Sequence, residues 1–235
     1  MRNVRAIAVR EVQAYFNSPM AYIVVCAFLV LAGWLYFTPL FLNGTSSMRS
    51  FFGIAPILFV VFAPAVSMRL VSEELRSGTL ELLTTMPVRD IEVVLGKFLA
   101  GLAVIAAALA MTLFWAVSVE LVGNLDWGPV IGGYLGLLLC AAALVAIGLM
   151  TSAWSRNQIV AFILALVICL ALWLLDKITF FVPGALAGLL EYLSIDYHFQ
   201  NIARGVIDSR DVLYYLSVTA LALYGAMRSL ARRHA

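Results

Sequence analysis

The chain has 235 residues, of which 64% are hydrophobic and 12% are charged, and its mean hydropathy is +1.02. Soluble domains are about half apolar, so this composition excludes a soluble domain and indicates an integral membrane protein. The formal net charge of +2 is too small to indicate a nucleic-acid-binding surface. We therefore expect the lipid bilayer, and no nucleic acid, as a partner of the chain.

The first residues, 1–19, predict an amphipathic helix that lies along the membrane surface. Val4, Val12 and Tyr15 share one helical face, and Arg10 lies opposite them. A cleaved signal peptide would instead have a short apolar core soon after its positive start. An ordinary polar leader before the first span stays open as the alternative.

Six apolar runs are long enough to cross a bilayer, which takes about 20 mostly apolar residues. The runs are continuous rather than alternating every second residue, so they predict helices and not a membrane barrel. We expect one all-α transmembrane domain over residues 1–235. The six runs are approximately 21–41, 51–71, 98–122, 130–151, 159–182 and 212–227.

Small and helix-breaking residues mark two of these runs. Pro56 and Pro64 each remove a backbone donor from the second run, which is compatible with a hinge or with plain packing. Gly132 and Gly136 in the fourth run have the spacing of a close helix contact. That spacing is frequent in membrane helices and does not identify the contacting helix.

The basic residues predict the orientation, because cytoplasmic loops carry the excess of Lys and Arg. With six spans, all but four of the 15 basic residues fall on the side of the two termini. This side is therefore predicted to be cytoplasmic. The four on the opposite side are Arg49, Lys177, Arg204 and Arg210.

A charged segment, residues 72–97, separates the second and third runs on the predicted cytoplasmic side. Ser77 or Thr79 is expected to cap a short helix here, and Pro87 is expected to end it. Its leucines would be exposed unless a soluble partner or the lipid headgroups cover them, and a solvated loop is the alternative. The leucines are Leu80, Leu82 and Leu83.

The outer segment, residues 183–211, is the second unusual stretch. Residues 184–194 are apolar but too short to cross the bilayer, which predicts a re-entrant or interfacial helix. A second short helical pattern follows it, and Asp208 or Ser209 is expected to cap the last span.

Motifs for catalysis are missing from the sequence. An ATP-binding loop would need Gly-x-x-x-x-Gly-Lys-[Ser/Thr], but Gly96-Lys97 is followed by Phe98 and Ile91 stands where the first glycine belongs. Neither His-Glu-x-x-His nor Gly-x-Ser-x-Gly occurs. We expect a chain that is not an enzyme and binds no metal or cofactor, and a membrane-embedded enzyme ranks third among the hypotheses.

The run 73–83, followed by Pro87-Val88 and Gly96-Lys97, resembles the cytoplasmic loop of type-2 ABC exporter permeases, most closely the gliding-motility-type branch. The resemblance implies a coupling helix that docks on a separate ATPase subunit, which binds ATP and Mg²⁺. It also implies a pair of permease chains in a bacterial inner (plasma) membrane. The implied coupling residues are Glu73, Glu74, Arg76, Gly78, Thr79, Leu80, Glu81, Leu82, Leu83 and Pro87.

The outer segment resembles the outer helical element of the same permeases, which closes the extracytoplasmic end of the pathway. The residues implied for this outer gate are His198, Phe199, Arg204, Gly205 and Asp208. The leading hypothesis is a permease subunit that couples ATP hydrolysis in its partner to export of an unidentified substrate. The alternative is a membrane anchor or scaffold of an ATPase-linked assembly, for example of motility type, without transport.

Overall fold

A computed structural model describes residues 2–44, 47–79, 89–179, 185–206 and 208–234. Every regular element within these residues is an α-helix, which confirms the predicted all-α class. In chain order the helices are α1 (Arg2–Phe16), α2 (Pro19–Asn43), α3 (Arg49–Ser67), α4 (Arg69–Ser77), α5 (Asp90–Val122), α6 (Trp127–Trp154), α7 (Gln158–Ile178), α8 (Ala185–Leu193), α9 (Ile195–Ala203) and α10 (Ser209–His234).

Five helical stretches within the described residues are long and apolar enough to cross a membrane: α2, α3 with α4, α5, α6 and α7. This confirms a multi-pass membrane protein. The sixth predicted run, 212–227, lies in α10, where Tyr214, Tyr215 and Tyr224 interrupt the aliphatic residues and Arg228 follows directly. With 26 residues, α10 would be about 39 Å long at 1.5 Å per residue, so its length suffices for a sixth span, which stays a prediction.

Helix α6 lies at the centre of the bundle and packs against α3, α4, α5, α7, α9 and α10. Its buried residues include four glycines and four alanines, so the neighbouring helices approach it closely. Helix α7 is the least buried of the five candidate spans. Helices α4 and α5, which flank residues 72–97, and helix α9 of the outer segment therefore all contact α6.

The second candidate span is broken at Met68, between α3 and α4. Ser152 of α6 reaches into this break, where its hydroxyl accepts hydrogen bonds from the backbone N–H groups of Val71 (3.1 Å) and Ser72 (3.0 Å). The same hydroxyl donates to the carbonyl of Met68 at 2.7 Å. A side chain inserted into the hydrogen-bond ladder of a helix is a known cause of a kink. The break at Met68 lies four residues after Pro64.

Candidate functional site

Helix α1 lies directly on the first turns of α5, and Gly96 makes this contact possible. A Cβ atom at Gly96 would be 2.7 Å from Cγ2 of Ile7 and 3.2 Å from the carbonyl oxygen of Val4. No real side chain fits at such distances without a shift of α1. The next residue, Lys97, therefore lies beneath α1 and inside the bundle.

Lys97 is 1% exposed and forms the centre of a partly buried charge cluster. Its Nζ atom lies 2.8 Å from Oε1 of Glu74 and 3.2 Å from Oε1 of Glu11. Arg10 approaches the same two carboxylates from the outside, at 2.9 Å from Glu11 and 3.7 Å from Glu74. We call Arg10, Glu11, Glu74 and Lys97 the charge cluster; it has two positive and two negative charges.

The charge cluster joins α1 to two helices that lie more than 50 residues further along the chain. Arg10 and Glu11 belong to α1, Glu74 to α4 and Lys97 to α5. Removing one partner of a buried ion pair costs about 3–5 kcal/mol, because the other charge stays buried and unpaired. The three helices are therefore held together at this end of the bundle. Oε2 of Glu74 is buried and has no hydrogen-bond partner in the described part of the chain.

The start of α5 has a second connection to α1. The side chain of Asn3 donates a hydrogen bond to Oε2 of Glu92 at 3.1 Å. The same oxygen accepts from the backbone N–H of Arg89 at 3.2 Å, which completes a capping box at the beginning of α5. Helix α1 thus contacts both the cap and the first turns of α5.

Tyr15 connects the other end of α1 to the break in the second span. Its hydroxyl donates to the carbonyl of Val66 at 2.5 Å, and the guanidinium of Arg69 lies 4.7 Å from the centre of its ring. Burial raises the pKa of the Tyr15 hydroxyl well above its ordinary value, so the donor stays protonated. Arg69 also forms an ion pair with Glu73 at 3.6 Å.

The structure separates the predicted coupling residues into two sets. Glu74 belongs to the charge cluster, whereas Glu73 and Arg76 are exposed. Ser77 is the last residue of α4 and does not begin a new helix, because Gly78 has a φ of 72° and ends α4 in the left-handed region. The hydroxyl of Thr79 lies 2.8 Å from that of Ser77. Leu80, Glu81, Leu82, Leu83 and Pro87 lie outside the described residues.

At the opposite end of the bundle, His198 is buried between α9 and α10. Its Nδ1 atom lies 2.6 Å from Oδ1 of Asp211, and its Nε2 atom lies 2.9 Å from the carbonyl oxygen of Tyr192. The ring of Tyr214 stacks on the imidazole with a centroid distance of 4.0 Å. His198 and Asp211 are 1% and 3% exposed.

The hydrogen bonds of His198 connect α9 to α10. A carbonyl only accepts, so Nε2 carries a hydrogen and donates it to Tyr192. On the other side of the ring, Nδ1 faces Oδ1 of Asp211 in the first turn of α10.

The other predicted outer residues hold α9 against α6 or lie on the surface. Phe199 packs on Gly136, where a Cβ atom would be 3.2 Å from its ring, and Gly132 faces the carbonyl of Ile202. Gly205 has a φ of 89°, which favours glycine, and turns the chain after α9. The two remaining residues, Arg204 and Asp208, are exposed, and Asp208 accepts a hydrogen bond from the backbone N–H of Arg210 near the start of α10.

Lys177 connects the end of α7 to α9 in the outer segment. Its Nζ atom lies 2.7 Å from Oδ2 of Asp196 in α9 and 2.5 Å from Oδ2 of Asp176. Ser194 donates to the other oxygen of Asp176 at 3.1 Å. The residues of the outer segment are thus attached to α6, α7 and α10.

Several of these partners have no signal in the sequence. Glu11 is paired with Lys97 across 86 positions, and Ser152 reaches Met68 across 84. Among these residues, the Gly96-Lys97 pair does give a local signal. A glycine next to a lysine at the start of an apolar run indicates a tight helix contact beside a charged group.

A comparison with protein families shows which family the chain belongs to. No individual curated protein matches the sequence. The family profile described as "ABC-2 family transporter protein" matches residues 3–226, which include nearly all of α1, all five candidate spans, the charge cluster and helices α8 and α9. Together with its multi-pass helical fold, this match shows that the chain belongs to the ABC-2 family of transporter proteins.

Proposed function

We propose that this chain is the permease subunit of an ATP-binding cassette exporter. A separate ATPase subunit binds ATP and Mg²⁺, and a second permease chain, identical or related, completes the complex. The chain crosses a bacterial inner membrane six times, with both termini and residues 72–97 in the cytoplasm. The family match supports transport rather than the scaffold alternative.

The charge cluster is the observation that carries this proposal. The coupling segment 72–97 begins within α4 and ends within α5, and Glu74 and Lys97 join these two ends at 2.8 Å. Glu11 attaches α1 to the same lysine. A force applied by the ATPase between the two ends would then move α1, α4 and α5 as one body, since separating them would leave buried charges unpaired.

The break at Met68 supplies the next step of transmission. Helix α4 is connected to the central helix α6 through the hydroxyl of Ser152, while α3 ends on the other side of the break. Movement of α4 would therefore act on α6 and, through α6, on the outer helices packed against it. This route links the cytoplasmic segment to the outer segment without an intramembrane charge relay.

Substitution of the predicted docking leucines tests the proposal. The double variant Leu82→Asp with Leu83→Asp should reduce co-purification of the ATPase at least about tenfold, because two carboxylates would have to be buried in the contact. The matched control Ser209→Asp adds a carboxylate at an exposed position of the opposite end and should change nothing.

Two results would contradict the proposal. Undiminished co-purification of the ATPase with the double variant would exclude the docking role. The scaffold alternative would be favoured if the complex assembles but its ATPase hydrolyses ATP at the same rate as the ATPase without the permease.

A further inference from the structure

A cleft of about 540 Å³ lies at the outer end of the bundle, between the first turns of α3 and one face of α9. Ligand sites in proteins commonly measure about 300–1,000 Å³, so the cleft is large enough for a small molecule or a lipid headgroup. It lies at the end of the bundle opposite the charge cluster and shares no residue with it.

Two helical stripes line the cleft. On α3 they are Arg49 and Gly53, four residues apart, and on α9 they are Asp196 and Gln200, continued at the same spacing by Arg204, the residue that follows α9. Residues four apart lie on one face of a helix, so both stripes face the cleft together. Phe52 and Phe199, each 1% exposed, provide an apolar floor.

The charges of the lining are unbalanced. Asp196 is already paired, since its Oδ2 atom accepts from Lys177 at 2.7 Å and from Gln200 at 2.8 Å. Arg49 and Arg204 have no ion-pair partner among residues 2–44, 47–79, 89–179, 185–206 and 208–234. The cleft therefore presents two guanidinium groups from two different elements, without an ion-pair partner in the described part of the chain, beside Asp196, which shares Lys177 with Asp176.

We propose that this cleft binds a phosphate group through Arg49 and Arg204. The planar guanidinium offers paired N–H donors that match phosphate oxygens, and two of them from different helices can hold one anion from two sides. The positive end of the dipole of α3, whose first residue is Arg49, adds to the attraction. The phosphate belongs either to a lipid headgroup, with its apolar part on the phenylalanine floor, or to a free ion.

Gly53 allows a steric test that leaves the charges intact. Gly53 lines the cleft, and a Cβ atom built there meets nothing within 4 Å, so a side chain at this position has room to begin. Gly53→Leu should fill the cleft without loss of fold, and Gly53→Ala should leave most of its volume free. Alanine and leucine also favour the helix over glycine.

The experiment measures binding to the purified full-length chain in phosphatidylcholine nanodiscs by titration calorimetry. The probes are inorganic phosphate and dihexanoyl phosphatidylglycerol, with dihexanoyl phosphatidylcholine as the headgroup control. Gly53→Leu and the double variant Arg49→Gln with Arg204→Gln should each raise the Kd of the binding probe at least about tenfold, or ~1.4 kcal/mol. Gly53→Ala and the matched control Arg210→Gln, an exposed outer arginine away from the cleft, should leave it within about threefold.

The outcomes separate the two sources of phosphate. Binding of inorganic phosphate indicates a site for a free anion, and binding of phosphatidylglycerol alone indicates a headgroup site that needs the apolar floor. The proposal is overturned if neither probe binds more tightly than the phosphatidylcholine analogue, if Gly53→Leu binds like the unaltered chain, or if Arg210→Gln weakens binding as much as the double variant. Because no ATPase is present, these results are independent of the proposed function.

Discussion

Replacement of Lys97 by methionine is the most direct test of the charge cluster. Methionine keeps the length and the apolar stem of lysine but removes the ammonium group, which lies within 3.2 Å of both Glu74 and Glu11. The two carboxylates are then left with Arg10, which is 56% exposed and 3.7 Å from Glu74. One buried carboxylate thus loses its main partner.

The expected loss in the free energy of unfolding is about 3–5 kcal/mol, the cost of breaking a buried ion pair from one side. At about 1.4 kcal/mol per factor of ten, this is at least a hundredfold change in the folding equilibrium. The double variant Lys97→Met with Glu74→Leu should recover to within about 1 kcal/mol of the unaltered chain, because replacing both partners by apolar groups is often neutral. Glu11 keeps Arg10 at 2.9 Å in that variant.

Unfolding by sodium dodecyl sulfate in mixed micelles, followed by circular dichroism, would measure these differences. Arg10→Gln is the matched control, since an exposed ion pair contributes about 0–1 kcal/mol. The reasoning is refuted if Lys97→Met unfolds within about 1 kcal/mol of the unaltered chain, or if the double variant is as unstable as the single one. In reconstituted complexes, we further expect the single variant to lose stimulation of the ATPase.

Three further substitutions test other contacts. Gly96→Leu should destabilise the chain by about 1–3 kcal/mol, because its side chain would overlap α1, whereas Gly53→Ala should not; thermal melting of both variants would compare them, and equal melting temperatures would contradict the packing argument. Ser152→Ala should cost about 1–3 kcal/mol, since the N–H groups at the break lose their acceptor, and the same melting assay against Ser229→Ala would measure it. His198→Phe keeps an aromatic ring beneath Tyr214 but leaves Asp211 unpaired, so amide hydrogen exchange in residues 185–206 should rise at least about tenfold, and unchanged exchange would exclude a role in holding α9.

Local sequence patterns predicted the helices well, because each span depends on a continuous apolar run. They placed the end of the second span near residue 71, whereas α4 continues to Ser77. Its charged residues remain helical because Glu74 is neutralised by Lys97 and Glu73 by Arg69. A hydropathy pattern predicts the end of a span at such charges, because it contains no information about ion pairs with other helices.

Patterns of small residues predicted contacts but not partners. Gly132 and Gly136 were expected to lie in a close helix contact, and the structure shows that the contacting residues belong to α9 and the turn after it. The same limit applies to Lys97, which marked the start of the third span in the sequence but whose partner Glu11 is 86 positions away. Pairings over such separations depend on how helices are arranged, which the period of a single helix does not encode.

The break at Met68 also offers a way to follow the contact between α4 and α6. The backbone N–H groups of Val71 and Ser72 donate to the side chain of Ser152, which belongs to another helix. These two amides lose their acceptor when α4 and α6 separate, even if α4 stays fully helical. Their nitrogen-15 chemical shifts would therefore report, without any attached label, whether α4 and α6 are in contact.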